Sequence, residues 1–273
     1  MRREIWGCKQ VNKYISYFKS GLQVSLKYKF EVYMWVVNSV MQVMLYYFLW
    51  RAIFANKATM NGFNLSTMVS YILLATLINN IVPVFHWGDF ARLVKTGDIV
   101  VELIKPYDLV FKFYFFEIGS KLTSFILTGI PFILIGVFAF NLQGPSSLLH
   151  LVYTLVSVFL ATLISYLLWC LVGLTGFYTT NVWGVYTMVT GINMFLTGSL
   201  VPLEFMPGWL QTIVAWLPFQ NIVYTPVSIY LGNIAVPDVP VRLLIQLVWV
   251  LIMYVIVRLY YKLGLKRLVV QGG

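Results

Sequence analysis

Long apolar runs alternate with short polar and basic segments along the chain. An apolar helix needs about 20 residues to cross the hydrocarbon core of a bilayer. Six runs approach or exceed that length, at about 31–54, 66–86, 113–140, 147–174, 182–200 and 241–263. Their interruptions carry turn chemistry: Asn61-Gly62 after the first run, and Asn141 through Pro145 after the third. Residues 1–30 read differently. Within them, 11–30 mix Tyr, Phe, Leu and Val with Lys13, Lys19, Lys27 and Lys29, the pattern of a basic amphipathic helix lying in the membrane interface. The pattern predicts an all-α polytopic membrane protein: a cytoplasmic amphipathic helix over 1–30, then one six-span domain over 31–273.

The stretch 201–239 fits neither a span nor a free loop. It is apolar, yet Pro202, Pro207, Pro218, Pro226 and Pro237 each delete a backbone donor. Broken backbone at membrane depth is tolerated where protein buries it. The expectation is two short re-entrant helices near the outer face, about 207–217 and 220–231, with a seventh span as the alternative.

Composition and charge sharpen this reading. Of 273 residues 60% are hydrophobic and only 10% charged, an apolar surplus that one soluble core cannot hide. The net charge of +10 is unevenly placed. Arg2, Arg3, Lys9, Lys13, Lys19, Lys27 and Lys29 precede the first run. Arg92, Lys95, Lys105 and Lys112 lie in 87–112, and Arg258, Lys262, Lys266 and Arg267 at the C-terminal end. Only Arg51, Lys57 and Arg242 fall on the opposite side. The positive-inside rule then puts both termini in the cytoplasm and makes 87–112 the one substantial cytoplasmic loop. The basic charge is a topological label and does not point to nucleic acid.

Catalytic signatures are missing from the sequence. There is no Gly-x4-Gly-Lys-Ser/Thr phosphate loop, no Gly-x-Ser-x-Gly, no His-Glu-x-x-His and no pair of carboxylates within a span. The N-terminal residues lack the apolar core of a cleaved signal peptide. Cys8 and Cys170 are expected at different membrane levels, as free thiols. His86 and His150 stand apart, at interfacial polar positions rather than in a metal site.

The cytoplasmic loop carries the most information. Asp89 is placed to cap a short helix through Lys95, its charge at the positive helix end. Phe90, Leu93 and Val94 share one face, with Arg92 and Lys95 elsewhere. Gly97 ends this helix, and Asp98 caps a second that stops before Pro106. The functional reading is a docking element with an exposed apolar tooth. The bland one is an interfacial helix resting in lipid headgroups.

Three features together resemble the membrane subunit of a type-2 ABC exporter. These are the basic amphipathic helix before the first span, the 87–112 loop with Gly97-Asp98, Leu103 and Pro106, and Gly198-Ser-Leu-Val-Pro-Leu-Glu-Phe-Met-Pro-Gly-Trp-Leu. The last continues through Leu217-Pro-Phe, Pro226 and Leu231-Gly232 and is the most specific of the three. The resemblance implies a permease in a bacterial-type plasma membrane, dimerised with the same or a homologous chain. It further implies two separate ATP-binding cassette subunits that hold the ATP and magnesium, this chain needing no cofactor. Asp89, Phe90, Arg92, Leu93, Lys95, Gly97 and Asp98 would then form the coupling contact with the ATPase. Pro202, Glu204, Pro207, Pro218 and Phe219 would belong to an outer re-entrant gate.

In that family the second and fifth spans face the dimer axis. Periodicity offers an independent check. Tyr186, Thr190, Asn193 and Thr197 recur at helical spacing on one face, and Thr76 and Asn80 share a face with Asn79 beside it. Such strips either line a polar path or hydrogen-bond helices together. Glu117 and Lys121 read as a helix-surface ion pair, and Glu204 as a solvated loop charge or a contact for a cation. The competing function is an ATP-independent secondary transporter or channel. It would call for internal repeats and midplane acids, which the sequence does not offer.

Overall fold

The computed structural model describes residues 2–27, 29–82, 87–179 and 181–267. Among these residues there is no strand beyond one isolated bridge, Met60 to Phe63. Twelve α-helices follow one another: α1 Arg2–Lys27, α2 Lys29–Ile53, α3 Leu65–Ile81, α4 Trp87–Thr96, α5 Ile99–Ile104, α6 Leu109–Ser124, α7 Ile130–Phe140, α8 Leu148–Leu174, α9 Val182–Leu196, α10 Gly208–Ala215, α11 Tyr224–Leu231 and α12 Val239–Leu265. Among the described residues, three stretches are long and apolar enough to cross a membrane: Leu109–Phe140, Leu148–Phe177 and Val236–Leu265. Leu65–Ile81 and Val182–Leu196 are shorter apolar helices.

Local chemistry sets the boundaries. Asn61 and Gly62 both take positive φ, closing a tight turn in which Met60 and Phe63 exchange backbone hydrogen bonds of 2.8 Å. Asn64 then caps α3: its Oδ1 accepts from Thr67 N–H while Thr67 Oγ1 accepts from Asn64 N–H. The second run ends earlier than expected. Val82 is extended, and Pro83 through His86 lie outside the described residues. The third run starts earlier, at Leu109, capped by Asp108. It passes through a π-helical turn at Phe125–Gly129, just before Pro131 removes a donor. Asn141, left-handed, ends α7.

The core is apolar, and large apolar side chains also cover the outside. α3 and α8 are the most enclosed of the long helices, with Met68, Tyr71, Ala75 and Ile164 fully buried. α2 and α12 present Leu45, Phe48, Leu244, Leu251 and Leu259 to the outside. Polar groups sit within: Gln246 on α12 is wholly buried and donates to the carbonyl of Asn221 (2.8 Å). In lipid, apolar surface has nothing to gain by hiding, and buried polar groups act as glue.

α1 forms the single helix foreseen before the first span. It is seated on α6, and the crossing is made of small residues. A side chain on Gly21 would strike the Phe116 carbonyl, and one on Gly119 the Phe18 carbonyl, so the two backbones touch. Ser25 Oγ and Ser120 Oγ share a hydrogen bond of 2.7 Å at the same seam. This enclosure also corrects the surface placement of the Glu117–Lys121 pair. Glu117 is buried, 1% exposed, on a helix that packs against α1 and α3. Lys121 Nζ reaches the Asn80 carbonyl (3.5 Å).

Candidate functional site

α4 sits beneath α8 and α9, with its apolar side turned into the bundle. Phe90 is 1% exposed and meets Phe177 edge-on, with ring centres 5.3 Å apart. Gly176 lies against the Ala91 backbone (3.2 Å for an added Cβ), and Leu93 and Val94 pack on the same core. The expected apolar tooth is therefore internal. A ten-residue helix is marginal alone and needs tertiary burial of its apolar stripe, so Phe90 serves this chain's own core. What α4 leaves outside is charged: Asp89, Arg92 and Lys95 are exposed, and Arg92 lies 3.5 Å from Asp89. Asp89 stands inside the first turn and not at the cap, since the helix begins at Trp87.

Gly97, with φ +79°, closes α4 in the left-handed form that glycine takes without strain. Asp98 precedes α5, but its carboxylate accepts from Thr96 Oγ1 (2.6 Å) in place of a helix N–H.

Sequence reasoning missed a knot of charges behind α4. Glu102 on α5 accepts from Lys105 (2.6 Å), Lys112 (2.5 Å) and the Tyr107 hydroxyl (2.6 Å). Partial burial would raise the Glu102 carboxyl, but these three donors together hold it down at about 2. The Lys105 ammonium is raised in turn by its hydrogen bond to Glu102. Lys112 also lies 5.4 Å above the Tyr17 ring of α1. Beside it, Asp108 caps α6 with one carboxylate oxygen and binds Arg258 of α12 with the other (2.5 Å). The Tyr14 hydroxyl of α1 accepts the Asp108 N–H (3.1 Å). α1, α5, α6 and α12 are thus tied at one end. The signal was present in sequence as a capping Asp before an apolar run. The partner 150 residues away was not.

Between α2, α3 and α9 lies a cavity of about 150 Å³. Thr76, Asn79, Asn80 and Asn193 line it, four of the seven residues expected on a polar path. Gln42, Met194, Ser199 and Leu200 complete it and were not foreseen, although a lone Gln in an apolar run was legible. The remaining three stay off the cavity. Tyr186 packs on Trp169 (5.2 Å between rings). Thr190 and Thr197 hydrogen-bond the carbonyls one turn back, of Tyr186 (2.8 Å) and Asn193 (2.7 Å).

Two short helices, α10 and α11, form within the stretch foreseen. Pro202 and Pro218 are buried, Phe219 half-buried, and Pro207 is exposed at the start of α10. Glu204 is not a solvated charge. Its Oε1 accepts from the Tyr224 hydroxyl (2.6 Å), and its backbone carbonyl from Asn61 (2.9 Å). His150 is 7% exposed and bridges Ser147 Oγ (2.8 Å) to the Ile234 carbonyl (3.2 Å). Cys170 is a buried free thiol, and the Cys8 side chain lies outside the described residues, as does His86.

Comparison with known protein families matches residues 40–272 to the family described as ABC-2 family transporter protein. No curated protein matches the chain. The match spans every helix from the middle of α2 onward, including the amide-lined cavity and the charged face of α4. The chain belongs to the ABC-2 transporter family, as a multi-pass membrane permease of an ABC-type transporter.

Proposed function

We propose that this chain is the six-span permease subunit of an ATP-driven exporter, with both termini cytoplasmic in a bacterial-type plasma membrane. It pairs with a second permease, the same or a homologous chain. Two separate ATP-binding cassette subunits hold ATP and magnesium, and α4 couples them to the spans. The exposed charged face of α4, whose Phe90 is buried against Phe177, carries this reading. Asp89, Arg92 and Lys95 face a partner, while Phe90 and Leu93 hand its movement to the bundle. Gly97 and Asp98 shape the hinge to α5. Thr76, Asn79, Asn80 and Asn193 line the path, with Tyr186, Thr190 and Thr197 bracing it. Pro202, Glu204, Pro207, Pro218 and Phe219 form the outer gate.

Affinity purification from native membranes tests this. A Walker-motif ATPase should co-purify with the wild-type chain and be lost with Arg92→Glu/Lys95→Glu, both proteins reaching the membrane equally. Reproducible absence of any ATPase, with transport intact in ATP-depleted vesicles, would overturn it in favour of a secondary transporter.

A further inference from the structure

The cavity between α2, α3 and α9 carries information about what it holds. Four carboxamides line it, from Gln42, Asn79, Asn80 and Asn193, with the hydroxyls of Thr76 and Ser199. Among the described residues, no acidic or basic side chain lines it. The Lys121 ammonium is engaged behind it by the Asn80 carbonyl. Some of this polarity is spent within the chain: Asn80 donates to Ser39 Oγ (3.2 Å), and Ser199 Oγ to the Met194 carbonyl (3.0 Å). The rest is unspent. Asn193 Oδ1 is buried with no hydrogen-bond partner among the described residues.

Each ligand class meets these facts differently. A charged group would lose its hydration and find no counter-charge. An apolar group would leave the amides unsatisfied, the costly outcome for buried donors and acceptors. A hydroxyl both donates and accepts, as a carboxamide does, so neighbouring hydroxyls pair with an amide N–H and C=O together. The space, about 150 Å³, exceeds what one water needs and is of the order of a single six-membered ring. Beside Gln42, α2 exposes Met41, Leu45 and Phe48, an apolar surface continuous with lipid.

The geometry points to an uncharged, hydroxyl-rich headgroup, a glycosyl ring, as the group this cavity binds. The inference rests on the proposed path only for its transport meaning; binding requires no ATPase.

The test uses the purified chain in phosphatidylcholine nanodiscs doped with glucosyl-diacylglycerol, read by native mass spectrometry. The glycolipid should be retained in preference to phosphatidylglycerol, tetraphenylphosphonium and a neutral tripeptide. Retention should fall about tenfold in Asn193→Leu and in Asn79→Leu, and recover in Asn193→Gln. Displacement by free glucose assigns recognition to the ring alone, and resistance to glucose assigns it to a lipid-linked ring; either supports the site. Equal or better retention of the anionic lipid, the cation or the peptide overturns it. So does unchanged glycolipid retention in both leucine variants. Failure to find an ATPase would sink the proposed function and leave this result standing.

Discussion

Asp108 performs two tasks with one carboxylate, and the tasks can be separated. One oxygen caps α6, accepting from Val110 N–H (2.9 Å), and the other binds Arg258. Asparagine is as good a cap as aspartate, whereas alanine is not. Asp108→Asn should therefore keep the helix start and lose only the tie to α12. Asp108→Ala should lose both and cost about 1 kcal/mol more. Thermal unfolding of the two variants in detergent checks this, and equal melting points would contradict it. Glu102 gives a pH prediction. Its folded carboxyl is held at about 2, below the ordinary 4.5. A depressed carboxyl contributes stability above its unfolded value and loses it as pH falls toward the folded one. The window of loss is thus about 4.5 down to 2. Amide-exchange protection over 99–112, corrected for intrinsic rates, should stay level from pH 7 to pH 5 and already be reduced at pH 7 in Glu102→Gln.

At the scale of elements, α1 and α4 show where sequence reading stops. Both were legible as amphipathic helices, because periodicity reports which residues share a face. Periodicity does not report what covers that face. α4 was expected to offer Phe90 outward, and Phe177 covers it instead. α1 crosses α6 with Gly21 against the Phe116 and Ser120 backbone and Gly119 against that of Phe18, a backbone-to-backbone crossing that no hydrophobic pattern marks. This crossing makes a sharp prediction. Gly119→Val places a branched side chain against the Phe18 carbonyl and should release α1 from α6. Limited trypsin digestion of the solubilised protein should then cleave within 13–27 several times faster than in wild type. Gly88→Val, where nothing lies within 4 Å, should leave cleavage there unchanged.

For the molecule as a whole, the sequence announced the class and the succession of helices because bilayer length and proline punctuation are local signals. It also marked half of the cavity lining, since amides in apolar runs stand out. The Asp108–Arg258 tie stayed hidden because its partners lie 150 residues apart, and the Glu102 knot because the turn between α5 and α6 decides which nearby cations meet it. These features place the charged knot, the C-terminal end of α12 and the exposed face of α4 together at one end of the bundle. The central claim is that this end receives force from an ATPase through α4. Site-directed photo-crosslinking in native membranes addresses it most directly. A photoreactive residue at 92 or 95 should form an adduct with a Walker-motif ATPase, while the same residue at 90 should not, since that side chain is enclosed by its own chain. ATPase adducts at 90 but not at 92 or 95, or none at any of the three with the ATPase present in the membrane, would contradict the account.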